Sequence, residues 1–282
     1  MLAAVGLFSL MDAGLKALST HYPPMQMAAI RGLSSLPLVA LWILASGRAA
    51  TLLRIRWPLH LFRGLLGIAM MASFTYALRT LPLATAYSIF FCAPLLITAL
   101  SGPLLGERVG RARWLAIGFG LVGMLVILRP SGEGLLSLPA LAVLFAAVGY
   151  ALSAITVRVL ARSDSSQAMV FWLMTLMGVG AALLAAPQWQ AIAASHWPII
   201  AGIGLCGTLG QIAITEAFSR GEASVIAPLE YSALAWALGL DLLLWQHLPD
   251  GITLLGAAII VAAGVFLIRQ ERGPKAVLPE AQ

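Results

Sequence analysis

Long apolar runs alternate with short polar turns along almost the whole chain. Ten runs can be delimited, at about 2–18, 24–46, 60–79, 82–101, 111–129, 138–160, 167–186, 197–219, 223–246 and 251–269. A helix that crosses a bilayer needs about 20 mostly apolar residues, so each run is expected to be one span. The breaks between runs carry Pro, Gly, Ser or charge, as in Tyr22-Pro23-Pro24, Arg129-Pro130-Ser131-Gly132 and Pro249-Asp250-Gly251. The pattern predicts an all-α membrane protein with ten transmembrane helices.

The runs also repeat. Residues 63–129 and 203–268 correspond at an offset of about 140, with Gly64 matching Gly204, Gly67 matching Gly207, Ala77 matching Ala217 and Gly123 matching Gly264 one residue later. Each copy holds an odd number of spans, so the second copy is expected to lie inverted in the bilayer, as in many secondary transporters. The expected organisation is two inverted five-helix repeats, 1–135 and 136–270, followed by a cytoplasmic polar tail, 271–282.

Composition narrows the classes that remain. The chain is 61% hydrophobic and 10% charged, more apolar surface than one soluble core hides. The first run starts at Met1 without a basic region or an Ala-x-Ala pattern, and is expected to be retained as a helix rather than cleaved. Cys92 and Cys206 fall inside apolar runs, so they read as small packing residues with no disulfide implied. The net charge of +6 comes from arginines in alternate loops, among them Arg48, Arg54, Arg56, Arg111, Arg162 and Arg220. With the N-terminus inside, these all fall on one side, and the positive-inside rule then places both termini in the cytoplasm. The basic balance is therefore an orientation signal, with no nucleic-acid partner implied.

Several stretches resemble chemistry without the context for it. Gly118–Gly123 and Gly202–Gly207 both fit Gly-x-Gly-x-x-Gly, but they lie inside apolar runs where glycine lets helices approach, not in a strand–turn–helix unit. His21, His60, His196 and His247 sit at run ends, none at metal-ligand spacing from another. No metal, no cofactor and no enzymatic activity is expected.

Ionisable groups inside a span are costly and usually face a cavity or a partner. Asp12 and Lys16 stand one helical turn apart on the first run, a spacing that favours a local ion pair. Arg31 lies within the second run, where its planar fork either clamps an anionic substrate group or pairs with Asp12 as a structural lock. These three are expected at the outer end. Arg158, Glu216 and Glu230 form a second set at the inner end, with Lys16 matching Arg158 and Tyr76 matching Glu216 at the repeat offset. Arg158 alternatively snorkels to the interface. Glu107 reads as an interfacial cap or arginine partner, and Asp241 as a residue reaching the interface. Embedded tyrosines need a hydroxyl partner, which makes Tyr76, Tyr87, Tyr150 and Tyr231 cavity candidates, with Trp236 as a ring-stacking contact. Pro94 and Pro228 are expected to bend the fourth and ninth helices, matching positions in the two halves.

These residues together resemble a known group. The segment Phe8 to Lys16, followed by Tyr22-Pro23, Gln26 and Arg31, is similar to the start of EamA-type proteins of the drug/metabolite transporter superfamily. So are Leu105-Gly106-Glu107 and Ala227-Pro228-Leu229-Glu230-Tyr231. Asp12, Lys16 and Arg31 with Arg63-Gly64-Leu65-Leu66 resemble the bacterial S-adenosylmethionine and riboflavin transporter branch. Trp245-Gln246-His247 departs from the Gly-Glu pair common in the second repeat, and Glu230 stands where some relatives carry a basic residue. The resemblance implies a ten-helix transporter with a central cavity.

The expected activity is secondary transport of a small organic metabolite, such as an amino acid, a nucleoside-like compound or riboflavin, by alternating access. Spans 1, 3, 4, 6, 8 and 9 are expected to line the cavity, and a coupling proton is a candidate partner. A passive facilitator and a non-transporting scaffold are the alternatives.

Overall fold

The computed structural model describes residues 1–107, 110–128, 137–246 and 251–271, and all regular structure among them is helical. In chain order the helices are α1 (Leu2–Leu18), α2 (Pro24–Ser46), α3 (Trp57–Leu78), α4 (Leu83–Phe90), α5 (Cys92–Leu105), α6 (Arg111–Leu128), α7 (Leu138–Leu160), α8 (Ser166–Ala185), α9 (Trp197–Arg220), α10 (Ala223–Ile226), α11 (Ala233–Trp245) and α12 (Gly251–Glu271). The turn at Arg129–Gly132, His247, Pro249 and Asp250, and the tail beyond Glu271 lie outside the described residues.

Six segments among the described residues are long and apolar enough to cross a membrane: Pro24–Ser46, Trp57–Leu78, Thr85–Leu105, Leu138–Leu160, Ser166–Gln188 and Ala194–Arg220. Of the other runs, α1 has 17 residues, α6 18 and α12 21, and the ninth is interrupted. At 1.5 Å per residue the 17 residues of α1 extend about 25 Å, a little less than the ~30 Å hydrocarbon layer. The fourth run breaks at Phe91, between α4 and α5. Pro94 follows in the first turn of α5, where a missing N–H is cheap. The ninth run breaks more deeply, into α10, a 3-10 turn over Ala227–Ser232 and α11.

The helix contacts include α2 with α8, α6 with α12, α3 with α7, α1 with α9 and α4 with α11. In numbered runs these are 2 with 7, 5 with 10, 3 with 6, 1 with 8 and 4 with 9. Exchanging every run with the one five later returns the same set. Helix directions follow from contacts at the two ends. At one end, the Tyr22 hydroxyl meets His196 Nδ1 at 2.7 Å, which joins the C-terminal end of α1 to the start of α9. Arg79, capping α3, donates to the Ser19 and Tyr22 carbonyls at 3.0 Å. At the other end Arg158, in the last turn of α7, donates to the Ser219 carbonyl near the end of α9 at 3.3 Å, and His60 near the start of α3 meets Asp164 after α7 at 2.9 Å. Thus α1 and α3 run one way, and α7 and α9 the other.

Large apolar side chains cover much of the exterior as well as filling the core, and several polar groups are buried among them. Leu44, Leu183 and Leu243 are largely exposed, whereas Gln26, Arg31, His60 and Arg63 are buried. Gln26 and Arg63 are bonded to distant parts of the chain. Gln26 donates to the Gln190 carbonyl at 2.7 Å and accepts the Gln190 N–H at 2.9 Å. Arg63 donates to the Met169 carbonyl at 3.3 Å and to Ser153 Oγ at 3.5 Å.

The departure at Gln246 has a structural counterpart. Gly106 ends α5 in the left-handed conformation, at φ 73°. Gln246, at the same place in the second half, ends α11 at φ 52°. A side chain in this region costs roughly 1–2 kcal/mol, so Gln246→Gly is expected to stabilise the protein by about 1 kcal/mol. A higher midpoint in a detergent thermal melt checks it, and an unchanged or lower midpoint refutes the strain.

Candidate functional site

A cavity of about 150 Å³ lies at the centre, where α1, α2, α3, α4, α7, α8, α9, the 3-10 turn and the start of α11 converge. The expected lining helices are present. The second and seventh runs, α2 and α8, contribute Arg31, Leu173 and Met177 in addition. About half of the lining residues are aromatic or thioether: Phe8, Phe74, Tyr87, Phe90, Phe91 and Tyr150 with Met11, Met70, Met71 and Met177. Phe74 stacks on Tyr87 with centroids 6.1 Å apart, and Phe90 meets Tyr150 at 5.3 Å. The polar lining is Asp12, Arg31, Ser153, Gln211 and Glu230.

The breaks in the fourth and ninth runs set the two carboxylates. Tyr87, on α4, donates to Asp12 Oδ2 on α1 at 2.5 Å. Tyr150, on α7, donates to Glu230 Oε1 in the 3-10 turn at 2.8 Å. By run these pairs are 1 with 4 and 6 with 9, which correspond under the exchange of halves. The roles are reversed: the broken run supplies the tyrosine in the first half and the carboxylate in the second. Arg31 is nearly fully buried. Its Nε lies 3.1 Å from Met11 Sδ, its Nη1 3.9 Å from Met177 Sδ, and its Cζ 5.5 Å from the Phe8 ring centroid.

The expectation of separate outer and inner vestibules is corrected by this geometry: Asp12, Arg31 and Glu230 line one cavity. All three are near mid-helix or in a helix break, so all reach the same central space. The expected Asp12–Lys16 ion pair is corrected too. Lys16 Nζ bonds Asp241 Oδ1 at 2.8 Å and lies 4.2 Å from the Trp245 ring centroid. Asp241 is buried on α11 and does not reach out to an interface. Glu216 bonds Arg220 one turn on, away from the cavity lining. Tyr76 is half-buried and does not line the cavity. Tyr231 is buried against Phe91, with centroids 5.3 Å apart. Trp236 is about half exposed and packs over Gly6.

Each end of the molecule is tied by an ion pair. Lys16–Asp241 links α1 to α11 at one end. At the other, Arg158 Nε lies 3.5 Å from Glu107 Oε1, which also accepts the Ala223 N–H at 3.0 Å. That network joins the ends of α5, α7 and α9 to α10. Because α9 runs from the first end to the second, the two pairs stand on opposite sides of the cavity. By run they are 1 with 9 and 6 with 4, again exchanged between the halves.

Comparison with known proteins gives this arrangement a context. The profile of the EamA-like transporter family matches residues 1–129 and 137–270. A pseudopaline exporter of Pseudomonas aeruginosa is 28% identical over 271 residues, spanning 94% of this chain and 93% of that protein. A riboflavin transporter of Vibrio cholerae is 32% identical over 214 residues, 75% and 72% of the two chains. An S-adenosylmethionine uptake transporter of Rickettsia bellii is 30% identical over 213 residues, 76% and 73%. A solved crystal structure superposes with a TM-score of 0.75 over 96% of this chain and 99% of that one, at 22% identity, so the likeness is one of fold. The chain belongs to the EamA-like transporter family, within the drug/metabolite transporter superfamily, and is a membrane transporter.

Proposed function

We propose that this protein is a secondary transporter of the bacterial inner membrane that moves a small organic metabolite by alternating access, with ten spans in two inverted repeats. The observation that carries the reading is one central cavity flanked at opposite ends by repeat-related ion pairs. The self-exchanging helix contacts and the opposed directions of α1 and α7, and of α3 and α9, support the inversion. With the N-terminus cytoplasmic, Lys16–Asp241 closes the outer end and Arg158–Glu107 the inner end. Rocking of the halves opens one pair as it closes the other. Asp12 and Glu230 are the groups placed to carry a coupling proton, since both face the cavity on elements next to a helix break.

Purified protein in liposomes, screened for uptake and efflux of a metabolite panel with and without a collapsed proton gradient, tests the activity. Gradient-independent flux identifies a facilitator, and no flux of any compound refutes transport. The gates have their own assay. In a Cys92→Ala, Cys206→Ala background, Ser153→Cys places a thiol on the cavity wall. Adding Lys16→Gln is expected to raise its labelling by an impermeant thiol reagent from one side at least threefold, and adding Arg158→Gln to raise it from the other. Equal labelling from the same side in both would overturn the gate assignment.

A further inference from the structure

The two buried arginines near the cavity differ in how their donors are used. Arg63 spends its on a backbone carbonyl and a serine hydroxyl. Arg31, only 6% exposed, meets two thioether sulfurs and lies over the Phe8 ring. Thioether sulfur is a weak acceptor. Among the described residues no carboxylate lies within ion-pair distance of Arg31, although Asp12 borders the same cavity. A guanidinium is charged at any relevant pH, and a buried one with no carboxylate in direct contact is costly. A structural lock would pair it directly with a carboxylate, whereas this arginine lines the cavity with only sulfur and ring contacts to its guanidinium.

We infer that Arg31 is the recognition site for a carboxylate on the transported metabolite, and that the cavity is built for an ampholyte carrying an ammonium or similar cation as well. This rests on the transport reading and names the substrate class of that site. The counter-group follows from what remains. Asp12 and Glu230 each accept one tyrosine hydroxyl, and Asp12 Oδ1 and Glu230 Oε2 take no hydrogen bond from the described residues. An ionised carboxylate has room for several donors, so an ammonium completes either one. With two acids against one arginine, a dianionic phosphate ester is repelled, while a single carboxylate balanced by a cation is not. The bidentate match of guanidinium to carboxylate supplies geometry as well as charge. The rings and methionines take the apolar body, and methionine adapts to irregular shapes.

Arg31→Gln, Arg31→Met and Arg31→Lys separate recognition from a structural role. If Arg31 awaits a ligand, ligand-free Arg31→Gln and Arg31→Met melt at or above the wild-type temperature in detergent. In liposomes they lose at least tenfold in uptake of carboxylate-bearing amines, with Arg31→Lys retaining part of it. Tryptophan, its amide and tryptamine, and lysine beside cadaverine, form matched probes within a wider metabolite panel. Arginine variants that melt well below wild type reveal a lock and overturn the inference, as do variants that transport carboxylate compounds at the wild-type rate. Wild-type protein that transports only compounds without a carboxylate overturns it while leaving the transport reading standing. Wild-type protein that transports nothing in the panel counts against the transport reading itself.

Discussion

Gly178→Leu is expected to prevent stable folding, with a loss of about 3 kcal/mol or more from overpacking alone. The crossing of α2 and α8 is a contact of backbones. A Cβ on Gly32 would lie 2.4 Å from Gly178 Cα, and one on Gly178 would lie 2.8 Å from the Leu33 nitrogen. Neither neighbour is a flexible side-chain tip that can swing away, so even a methyl group forces the helices apart. In lipid the separation is not offset by hydrophobic drive, because helix association there rests on close packing and interhelical hydrogen bonds. The damage also reaches the site: Arg31 precedes Gly32, Met177 precedes Gly178, and both line the cavity. Gly118→Leu is the control, since a Cβ there meets nothing within 4 Å. Size-exclusion profiles and thermal melts in detergent read the result. A Gly178→Leu protein that is monodisperse and melts with wild type would show that the crossing tolerates separation.

The fold was more legible than the site, for a physical reason. Run lengths and turn residues respond to the bilayer and to backbone rules, which act locally. The matches of Gly64 with Gly204 and Gly67 with Gly207 even reappear as matched contacts: a Cβ on Gly64 would strike Leu176 of α8, and one on Gly204 would strike Ser34 of α2. A polar partner is a tertiary fact. Asp12 and Lys16 share a helix face, but α4 brings Tyr87 to the first and α11 brings Asp241 to the second. Depth along a run does not reveal this, and counting from run ends cannot divide one cavity into two. The pairing of Glu216 with Arg220 was readable from its one-turn spacing. So was Gln211, a primary amide in the middle of an apolar run. The four cavity methionines carried no sequence signal, because methionine packs anywhere, and the aromatic character of Tyr76, Tyr231 and Trp236 does not say which face of a helix they occupy.

The exchange of halves relates the two tyrosine–carboxylate pairs, and their reversed roles have a consequence. Each pair spans an unbroken helix and a broken one: Asp12 on α1 with Tyr87 on α4, and Tyr150 on α7 with Glu230 in the 3-10 turn. A broken helix bends at lower cost than a continuous one, since the backbone bonds at the break are already interrupted. Motion at either break therefore moves one partner relative to the other, and the state of the carboxylate is coupled to the shape of the cavity.

Asp12→Asn and Glu230→Gln are expected to lower transport at least tenfold each, with melting temperatures within a few degrees of wild type. The amides keep size and still accept the tyrosine hydroxyl, so packing survives. They remove the negative charge proposed to hold the substrate's cation and the group proposed to take up a proton. Tenfold corresponds to about 1.4 kcal/mol, less than the 3–5 kcal/mol typical of breaking a buried ion pair, so the estimate is conservative for a desolvated cavity. If the carboxylates act in the same step, the double variant falls little below the worse single one, a non-additivity expected of directly coupled groups. If they act in separate half-cycles, the losses multiply. Tyr87→Phe and Tyr150→Phe remove one donor from each carboxylate and are expected to shift the pH dependence of flux before they abolish it. Folded amide variants that transport at the wild-type rate, with an unchanged response to a proton gradient, would remove both carboxylates from the mechanism and leave the cavity's rings and Arg31 to bind substrate without them.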